Sequence, residues 1–401
     1  MEILDILIYI IELVLYVYFG IAALYIFIFA FAGVFPYKQK LALKTTKRKF
    51  AVLIPGYKED SVIIDVAKDA LKQNYSGDHY DVVVIADSFQ AETLKSLKEL
   101  PIIVVEVSFD VSTKSKALNK AMQVIGNEYD VALVLDADNL MAEDFISKVN
   151  NAFDNGFTVV QGHRAAKNVN TSFAILDAIS EEVNNHIFRK GHRVLGFSSA
   201  LIGSGMAFDY QFFKEIMSQV NAIGGFDKEL ELRLLKDRKK IEYLHDALVL
   251  DEKVQKSEVF ANQRKRWLSA QFIYFARYFF PGLYHLLFKG NFDFFDKVYQ
   301  MVSPPRILLL GLVGIITGFY TCIWFLLPDS GFVQFTILDW LPVFAMVVLA
   351  FVVSIPRKFY NRKTLVAVLT LPKAFFLMFV SLFKLKGANK KFIHTEHGVK
   401  N

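Results

Sequence analysis

Residues 129–138 of the 401-residue chain read YDVALVLDAD, an apolar run that ends in two acids. Such a run is typical of a strand buried inside a sheet. Similar apolar runs occur at 50–57 (FAVLIPGY), 80–87 (YDVVVIAD), 101–107 (PIIVVEV) and 157–162 (FTVVQG). Between them lie stretches with apolar residues at helical spacing, at 60–73, 91–100, 114–126 and 142–153. This alternation predicts an α/β domain with a mainly parallel sheet and helices on both faces.

Apolar segments lie on both sides of this domain in a chain that is 54% hydrophobic. Residues 13–34 carry no charge, and about 20 apolar residues are enough to cross a bilayer. We therefore expect an N-terminal transmembrane anchor at 1–36. Two more apolar segments, at 307–327 and 337–355, predict spans within a C-terminal transmembrane region at 304–386.

The last apolar segment, at 364–383, is interrupted by Pro372 and Lys373. This segment either crosses the membrane or lies in its interface. The tail at 387–401 is expected in the cytoplasm, but its side of the membrane depends on which of these two alternatives holds. Six lysines and arginines follow the first span, at 38–49. The positive-inside rule therefore places the α/β domain in the cytoplasm.

The composition excludes several classes of protein. A single cysteine, Cys322, excludes a disulfide-stabilised fold. The net charge of +6 fits a membrane surface better than nucleic acid, because the basic residues cluster beside the predicted spans. The first strand is followed by neither a G-x-G-x-x-G fingerprint nor a phosphate-binding P-loop, which disfavours dinucleotide enzymes and P-loop ATPases.

Polar side chains follow several of the apolar runs, where ligands bind in open α/β sheets. Asp136 and Asp138 lie on the same side of a strand, and two such carboxylates repel each other unless a cation is near. Mg²⁺ or Mn²⁺ shared with a diphosphate suits these oxygen ligands. Two solvated loop acids are the alternative. Lys114 opens a helix that either meets a phosphate or exposes a solvated lysine.

In their order along the chain, these features resemble the membrane-bound branch of the family 2 glycosyltransferases, which includes cellulose, chitin and hyaluronan synthases and glucosylceramide synthase. The Q-x-x-R-W motif at 263–267, about 125 residues after the D-x-D acids, makes the resemblance specific. The resemblance implies a nucleotide-sugar-binding domain of the GT-A type at 48–266. Other matching stretches lie at 55–59, 114–119, 161–164, 203–205 and 227–231.

The resemblance also implies a role for each matching residue. Asp138 would bind the divalent cation, Mg²⁺ or Mn²⁺, and Asp136 would contact the donor beside it. The donor, a UDP-sugar, would be held by a larger set of residues: Pro55, Tyr57, Glu59, Asp87, Lys114, Asp136, Arg264 and Arg266. The acceptor would be bound by Gly203, Gly205, Gln263 and Trp267, with the Trp267 ring under the acceptor sugar.

The expected catalytic base accepts a proton from an acceptor hydroxyl, and the sugar is transferred with inversion. The usual Thr-Glu-Asp triplet is absent at 224–234. Matching the downstream Glu-Leu pair places the base at Glu229, whereas matching the preceding glycines places it at Asp227. We expect Glu229 to be the base, with Asp227 as the second choice.

The implied function is polysaccharide synthesis from a nucleotide-sugar at a bacterial cytoplasmic membrane, with a polysaccharide export partner. Single transfer to a lipid acceptor and a catalytically silent assembly subunit are the alternatives. Residues 267–303 are aromatic-rich with scattered positive charge. They predict amphipathic helices in the membrane interface, with a helical hairpin in the core of the domain as the alternative.

Overall fold

The structure, a computed structural model, describes residues 3–220, 224–255, 257–327 and 333–385. The predicted tail at 387–401 lies outside these residues. The strands are β1 Phe50–Tyr57, β2 Tyr80–Asp87, β3 Ile103–Val107, β4 Val131–Val134, β5 Leu140–Met141, β6 Val159–Ala166, β7 Met206–Asp209 and β8 Glu242–Asp251. They form one sheet in the order β3-β2-β1-β4-β7-β6-β8-β5.

The helices of the first two thirds of the chain cover the sheet or precede it. They are α1 Ile3–Ala32, α2 Ile63–Ala70, α3 Ala91–Lys98, α4 Lys114–Val124, α5 Phe145–Asp154, α6 Ser172–Asn184, a π-helix at Asn185–Gly191, α7 His192–Val194, α8 Tyr210–Ser218 and α9 Phe226–Lys236. The last third is helical: α10 Ser257–Lys289, α11 Phe292–Val302, α12 Arg306–Leu326, α13 Ile337–Ser354, α14 Arg362–Val368 and α15 Leu371–Leu382. Two short 3₁₀ turns lie at Gly77–His79 and Arg357–Phe359.

Side chains alternate between the two faces of the sheet, as the period of a strand requires. In β1, Ala51 and Leu53 pack into one hydrophobic cluster, with α4, α8 and α9. Phe50, Val52 and Ile54 pack into the other cluster, with α2 and α5. Both faces are therefore covered by helices, which confirms the predicted α/β class.

The sheet is mixed. Strands β3, β2, β1 and β4 are parallel to one another, as expected. β7 lies antiparallel between β4 and β6, β8 is parallel to β6, and β5 is antiparallel to β8. The carboxyl ends of β1, β2 and β4 therefore meet at one edge, where the sequence places its candidate acids.

Among the residues that the structure describes, three helices are long and apolar enough to cross a membrane: Ile3–Ala32, Arg306–Leu326 and Ile337–Ser354. They pack together in a hydrophobic cluster that includes Trp340 and Val347. The uncertain segment forms two helices, α14 and α15, that meet at an angle of 42°. The break falls at residues 369–370, just before the Pro372–Lys373 interruption seen in the sequence.

Helix α10 is 33 residues long and contains the whole Q-x-x-R-W motif. The expected boundary between 266 and 267 falls inside this continuous helix. Past Pro281 it packs on α11, where Gly282 faces Val298, while the rings of Phe280 and Phe288 are exposed. The aromatic exposure is compatible with a membrane interface, and the division into domains stays a prediction.

Helix α1 packs directly on the α/β domain. A side-chain carbon at Gly191 would lie 2.1 Å from the backbone oxygen of Phe29, so only glycine fits this approach. The His192 ring stacks on the Phe29 ring at 3.7 Å. The His186 ring is hydrogen-bonded to the backbone oxygen of Ala30 at 2.8 Å. These contacts fix α1 against the π-helix, an element often found near functional sites.

Candidate active site

One cavity of about 1150 Å³ opens at the carboxyl ends of β1, β2 and β4. It brings together nearly all the residues that the sequence singled out. The candidate residues lining it are Pro55, Tyr57, Glu59, Asp87, Lys114, Asp136, Asp138, Gly203, Asp227, Gln263, Arg264, Arg266 and Trp267. Gly205 and Glu229 are not among the lining residues.

The turns after β1 and β2 shape one end of this cavity. Lys58 and Ser88 both have positive φ angles, 56° and 61°, a conformation that non-glycine residues adopt at a cost and that often marks functional sites. The Lys58 amide donates to the backbone oxygen of Asp87 at 3.1 Å. The Ser88 hydroxyl donates to the Asp87 carboxylate at 3.0 Å. These bonds hold the Asp87 carboxylate, which is almost fully buried, at the end of β2.

Asp136 is paired with a lysine. The Lys114 ammonium donates to the Asp136 carboxylate and, at 2.6 Å, to the backbone oxygen of Gly203. The Asp136 amide donates to the Ser204 hydroxyl at 2.9 Å. Gly203 has a φ of +84°, in the region that favours glycine. Lys114 therefore links the first acid of the D-x-D to the 203–204 turn.

Asp138 lies deeper, and its side chain is 5% exposed. The Asn139 amide donates to Asp138 at 3.0 Å and to Asp251 at 3.0 Å. The Asn139 carbonyl accepts from the Ser204 hydroxyl at 2.6 Å. Burial opposes ionisation of Asp251, but Arg164 and Lys253 lower its pKa, so it stays charged. Asp251 follows an apolar stretch of β8, as Asp136 and Asp138 follow the apolar run that contains β4. The same sequence pattern could therefore have identified Asp251 as a candidate.

The two candidate bases have different surroundings. Asp227 lines the cavity, and its burial raises the pKa of its carboxyl. A side-chain carbon at Gly203 would lie 3.9 Å from the Asp227 carboxyl carbon, so the base candidate lies close to the Lys114 site. Glu229 is 3% exposed and accepts from Arg233 at 2.8 Å.

Gly205 is a packing position. A side-chain carbon there would approach Val249 to 2.9 Å, and its backbone oxygen accepts from the Gly162 amide at 2.8 Å. Its φ of +61° also favours glycine. Gly205 therefore shapes the sheet next to the cavity without lining it, which differs from the expected contact with an acceptor.

The Q-x-x-R-W motif faces the cavity from the first turns of α10. The Arg264 guanidinium pairs with Asp177 on α6 and lies 4.4 Å from the Trp267 ring centre, a cation–π contact. Trp267 is 41% exposed, so its ring stays accessible for stacking. Burial lowers the pKa of Arg266. Arg264 therefore forms an internal ion pair at the wall of the cavity, and its expected contact with phosphate stays a prediction.

A buried ionic cluster lies behind the motif. Glu181 accepts from Arg164 at 3.0 Å and from Arg189 at 3.2 Å, and Lys253 lies 3.9 Å away. Burial opposes the charge on Glu181, but these three cations hold its pKa well below the usual range. No local sequence pattern indicates this cluster, because its members come from β6, α6, the π-helix and the segment after β8.

The acids of the D-x-D suit a divalent cation. Both carboxylates line the cavity, and carboxylate oxygens are the ligands of Mg²⁺ and Mn²⁺. No group of three or more histidine, cysteine, aspartate or glutamate side chains in the described ranges is gathered to hold a metal. Two protein carboxylates fit a cation that takes its remaining ligands from substrate phosphate and water, as Mg²⁺ commonly does.

A sequence search of curated proteins gives no match. Among solved structures, a mannosyltransferase from Pyrobaculum calidifontis, in complex with GDP-Man and Mn²⁺, aligns with a TM-score of 0.52 and 12% identity. The alignment covers 91% of this chain and 99% of that one. S. aureus TarS 1-349 with UDP-GlcNAc has a TM-score of 0.41 and 12% identity, over 85% of this chain and 90% of that one. At this identity the first likeness shows the fold, a GT-A-like domain.

The sequence profile of the family described as "Glycosyltransferase like family 2" matches residues 47–270. This range contains β1 to β8, the D-x-D acids and the Q-x-x-R-W motif. The match covers more than half of the chain, and it agrees with the GT-A-like fold. The chain therefore belongs to the family 2-like glycosyltransferases.

Proposed function

We propose that the protein transfers a sugar from a nucleotide-sugar, a UDP-sugar, to an acceptor at the membrane face of the domain. The observation that carries this proposal is the single cavity lined by Asp136, Asp138, Asp227 and Trp267. Donor-binding acids, a base candidate and an exposed ring beside one space are the groups that glycosyl transfer needs.

The donor half of the cavity is the space near β1, β2 and β4. In the proposal, Asp87 and the 55–59 turn hold the nucleoside, and Lys114 and Arg266 carry positive charge toward the diphosphate. Asp138 and Asp136 hold the divalent cation, which stabilises the leaving diphosphate as a Lewis acid. Arg264 is assigned to the support of Trp267, since its guanidinium already pairs with Asp177.

We assign the base to Asp227 and not to Glu229. Asp227 lines the cavity, and its raised pKa brings it closer to the working pH of a general base. Glu229 forms an ion pair with Arg233, which keeps its carboxylate occupied. In the proposed step, Asp227 takes the proton of an acceptor hydroxyl while that oxygen bonds to the anomeric carbon. The bond from this carbon to the diphosphate breaks, and the configuration inverts.

Two acceptors fit the resemblance: a growing polysaccharide with an export partner, and a lipid. The shape of the cavity favours the lipid, because its walls continue from the D-x-D acids to apolar side chains of α12, α13, α14 and α15. These include two of the three helices that are apolar enough to span a membrane. A lipid can therefore reach the donor site without leaving its apolar surroundings.

The test uses the purified full-length protein in lipid with a panel of labelled nucleotide-sugars and Mg²⁺ or Mn²⁺. We expect one donor to be consumed, and we expect Asp138→Ala to lower the rate about a hundredfold or more. Asp78→Ala, at an exposed position outside the cavity, is the matched control and should keep the wild-type rate. If the wild type consumes no donor, the silent-subunit alternative replaces this proposal.

A further inference from the structure

The far end of the cavity is apolar. Beyond the D-x-D acids its walls come from four helices of the last third of the chain, through Leu310, Phe351, Val368, Leu371 and Met378. The whole cavity, about 1150 Å³, is larger than the roughly 300–1,000 Å³ of a typical small-molecule site. It has room for a donor and for part of a second, apolar ligand.

Arg306 lies where the polar and apolar parts of this cavity meet. It is the first residue of α12, lines the cavity and is partly buried. Its guanidinium donates to the side-chain oxygen of Asn184 and lies 5.0 Å from the Phe188 ring centre. No carboxylate lies within 4.0 Å of it in the described part of the chain.

The neighbouring arginines differ from Arg306 in this respect. Arg189 pairs with Glu181 at 3.2 Å, and Arg264 pairs with Asp177. Arg264 and Arg189 repel the Arg306 guanidinium, and Glu181, which already pairs with Arg164 and Arg189, attracts it in part. A partly buried guanidinium with no carboxylate of its own within 4.0 Å favours an anion from outside the chain.

From this geometry we propose that the acceptor is a membrane lipid whose head group carries a phosphate, and that Arg306 binds this phosphate. A guanidinium matches the paired oxygens of a phosphate, and the apolar walls beyond it match an alkyl chain. The inference rests on the proposed function. The phosphate is a binding group, and the reacting oxygen is a hydroxyl of the same head group that Asp227 deprotonates.

The experiment measures binding to the full-length protein in phosphatidylcholine nanodiscs. The probes are hexadecyl phosphate, hexadecanol and inorganic phosphate, which separate the charged head from the chain. We expect hexadecyl phosphate to bind the wild type about tenfold tighter than hexadecanol or inorganic phosphate, since hydrogen bonds to charged groups have that size. Arg306→Gln should remove this preference and leave the weak binding of hexadecanol unchanged.

Arg357→Gln is the matched control, because Arg357 is exposed, follows α13 and does not line the cavity. It should keep the wild-type preference. Equal binding of hexadecyl phosphate and hexadecanol, or a preference that survives in Arg306→Gln, would overturn the proposal. Inorganic phosphate that binds as tightly as the lipid would also overturn it.

In the last part of the experiment, UDP with Mn²⁺ competes with bound hexadecyl phosphate. Hexadecyl phosphate that is displaced competitively by UDP with Mn²⁺ would assign Arg306 to the donor and overturn the inference. Bound nucleotide that leaves the lipid in place supports it. Donor consumption is measured separately. If the wild type consumes the donor but does not prefer hexadecyl phosphate, this inference is wrong and the proposed function still stands.

Discussion

Asp227 and Glu229 lie two residues apart on α9, yet only Asp227 faces the cavity. We expect Asp227→Asn to lower kcat for transfer about a hundredfold or more, because a general base contributes that much. Binding of the donor should change little. Glu229→Gln is the comparison, and it should affect stability through Arg233 more than kcat. A loss of transfer in Glu229→Gln with activity retained in Asp227→Asn would return the base to Glu229.

The pH dependence of transfer follows from the same carboxyl. A base works when it is deprotonated, and burial raises the pKa of Asp227. The rate should therefore fall as the pH decreases through this raised pKa, at a higher pH than for an ordinary aspartate. Measuring kcat against pH checks this. A rate that stays constant down to the pH of acid unfolding would contradict it.

Glu181 carries the charge of the buried cluster. Glu181→Gln leaves Arg164, Arg189 and Lys253 short of a negative charge, so we expect a loss of about 3–5 kcal/mol in the free energy of unfolding at neutral pH. Glu128→Gln is the control. Glu128 is 78% exposed in its side chain, where it pairs with Lys49 at 3.4 Å, and its loss should cost at most about 1 kcal/mol.

The sign of the pH dependence at Glu181 follows from its lowered pKa. A carboxyl whose pKa is lower in the folded than in the unfolded protein stabilises the fold above the unfolded pKa, about 4.3. This stabilisation is lost as the pH falls below that value. The difference between wild type and Glu181→Gln should therefore shrink in acid, as thermal unfolding at several pH values would show. A difference that grows in acid would contradict the ion-pair account.

At the scale of elements, the contact between α1 and the π-helix is the most sharply defined. An alanine at Gly191 would meet the backbone oxygen of Phe29 at 2.1 Å, so the backbone of α1 or of the π-helix would have to shift. We expect Gly191→Ala to lower the free energy of unfolding by about 1–3 kcal/mol, as overpacking does. Gly20→Ala, also on α1 but with no atom within 4 Å, should not lower it and should raise it by at most about 1 kcal/mol, because alanine is the better helix former. Equal effects would show that α1 does not pack as described.

Elements differ in how far the sequence predicts them. β1, β2 and β4 could be predicted because each is an uninterrupted apolar run that ends in a polar group. β7 is only four residues long, and in β8 His245 and Asp246 interrupt the apolar residues at a shift in register, so neither is an apolar run over the length of a typical strand. The antiparallel pairs of the sheet therefore could not be predicted.

The candidate site likewise contains residues that the sequence predicts and contacts that it does not. The residues that follow β1, β2 and β4 were found because the carboxyl ends of parallel strands share one edge. The pairs Arg264–Asp177 and Arg164–Glu181 join residues 87 and 17 positions apart. Such pairings depend on how α6 and α10 pack against the sheet, which no local pattern contains.

For the whole molecule, the orientation in the membrane is the prediction to test. In a Cys322→Ala background we introduce one cysteine, either Ile3→Cys or Glu128→Cys, both at exposed positions. The proposed orientation places Ile3 outside and Glu128 in the cytoplasm. A maleimide that cannot cross membranes should label Ile3→Cys in intact spheroplasts and Glu128→Cys only after permeabilisation. The reverse pattern would contradict the orientation.

In the proposed function, the continuity of the cavity between the D-x-D acids and the apolar helices α12 and α13 also has a consequence for the use of the donor. With the apolar end empty, water would reach the anomeric carbon of a bound donor, and the activated sugar would be lost to hydrolysis. A lipid that fills the same space displaces this water and supplies the competing oxygen. The fraction of donor lost to hydrolysis would thus be high in a bilayer poor in acceptor lipid and low in a bilayer rich in it.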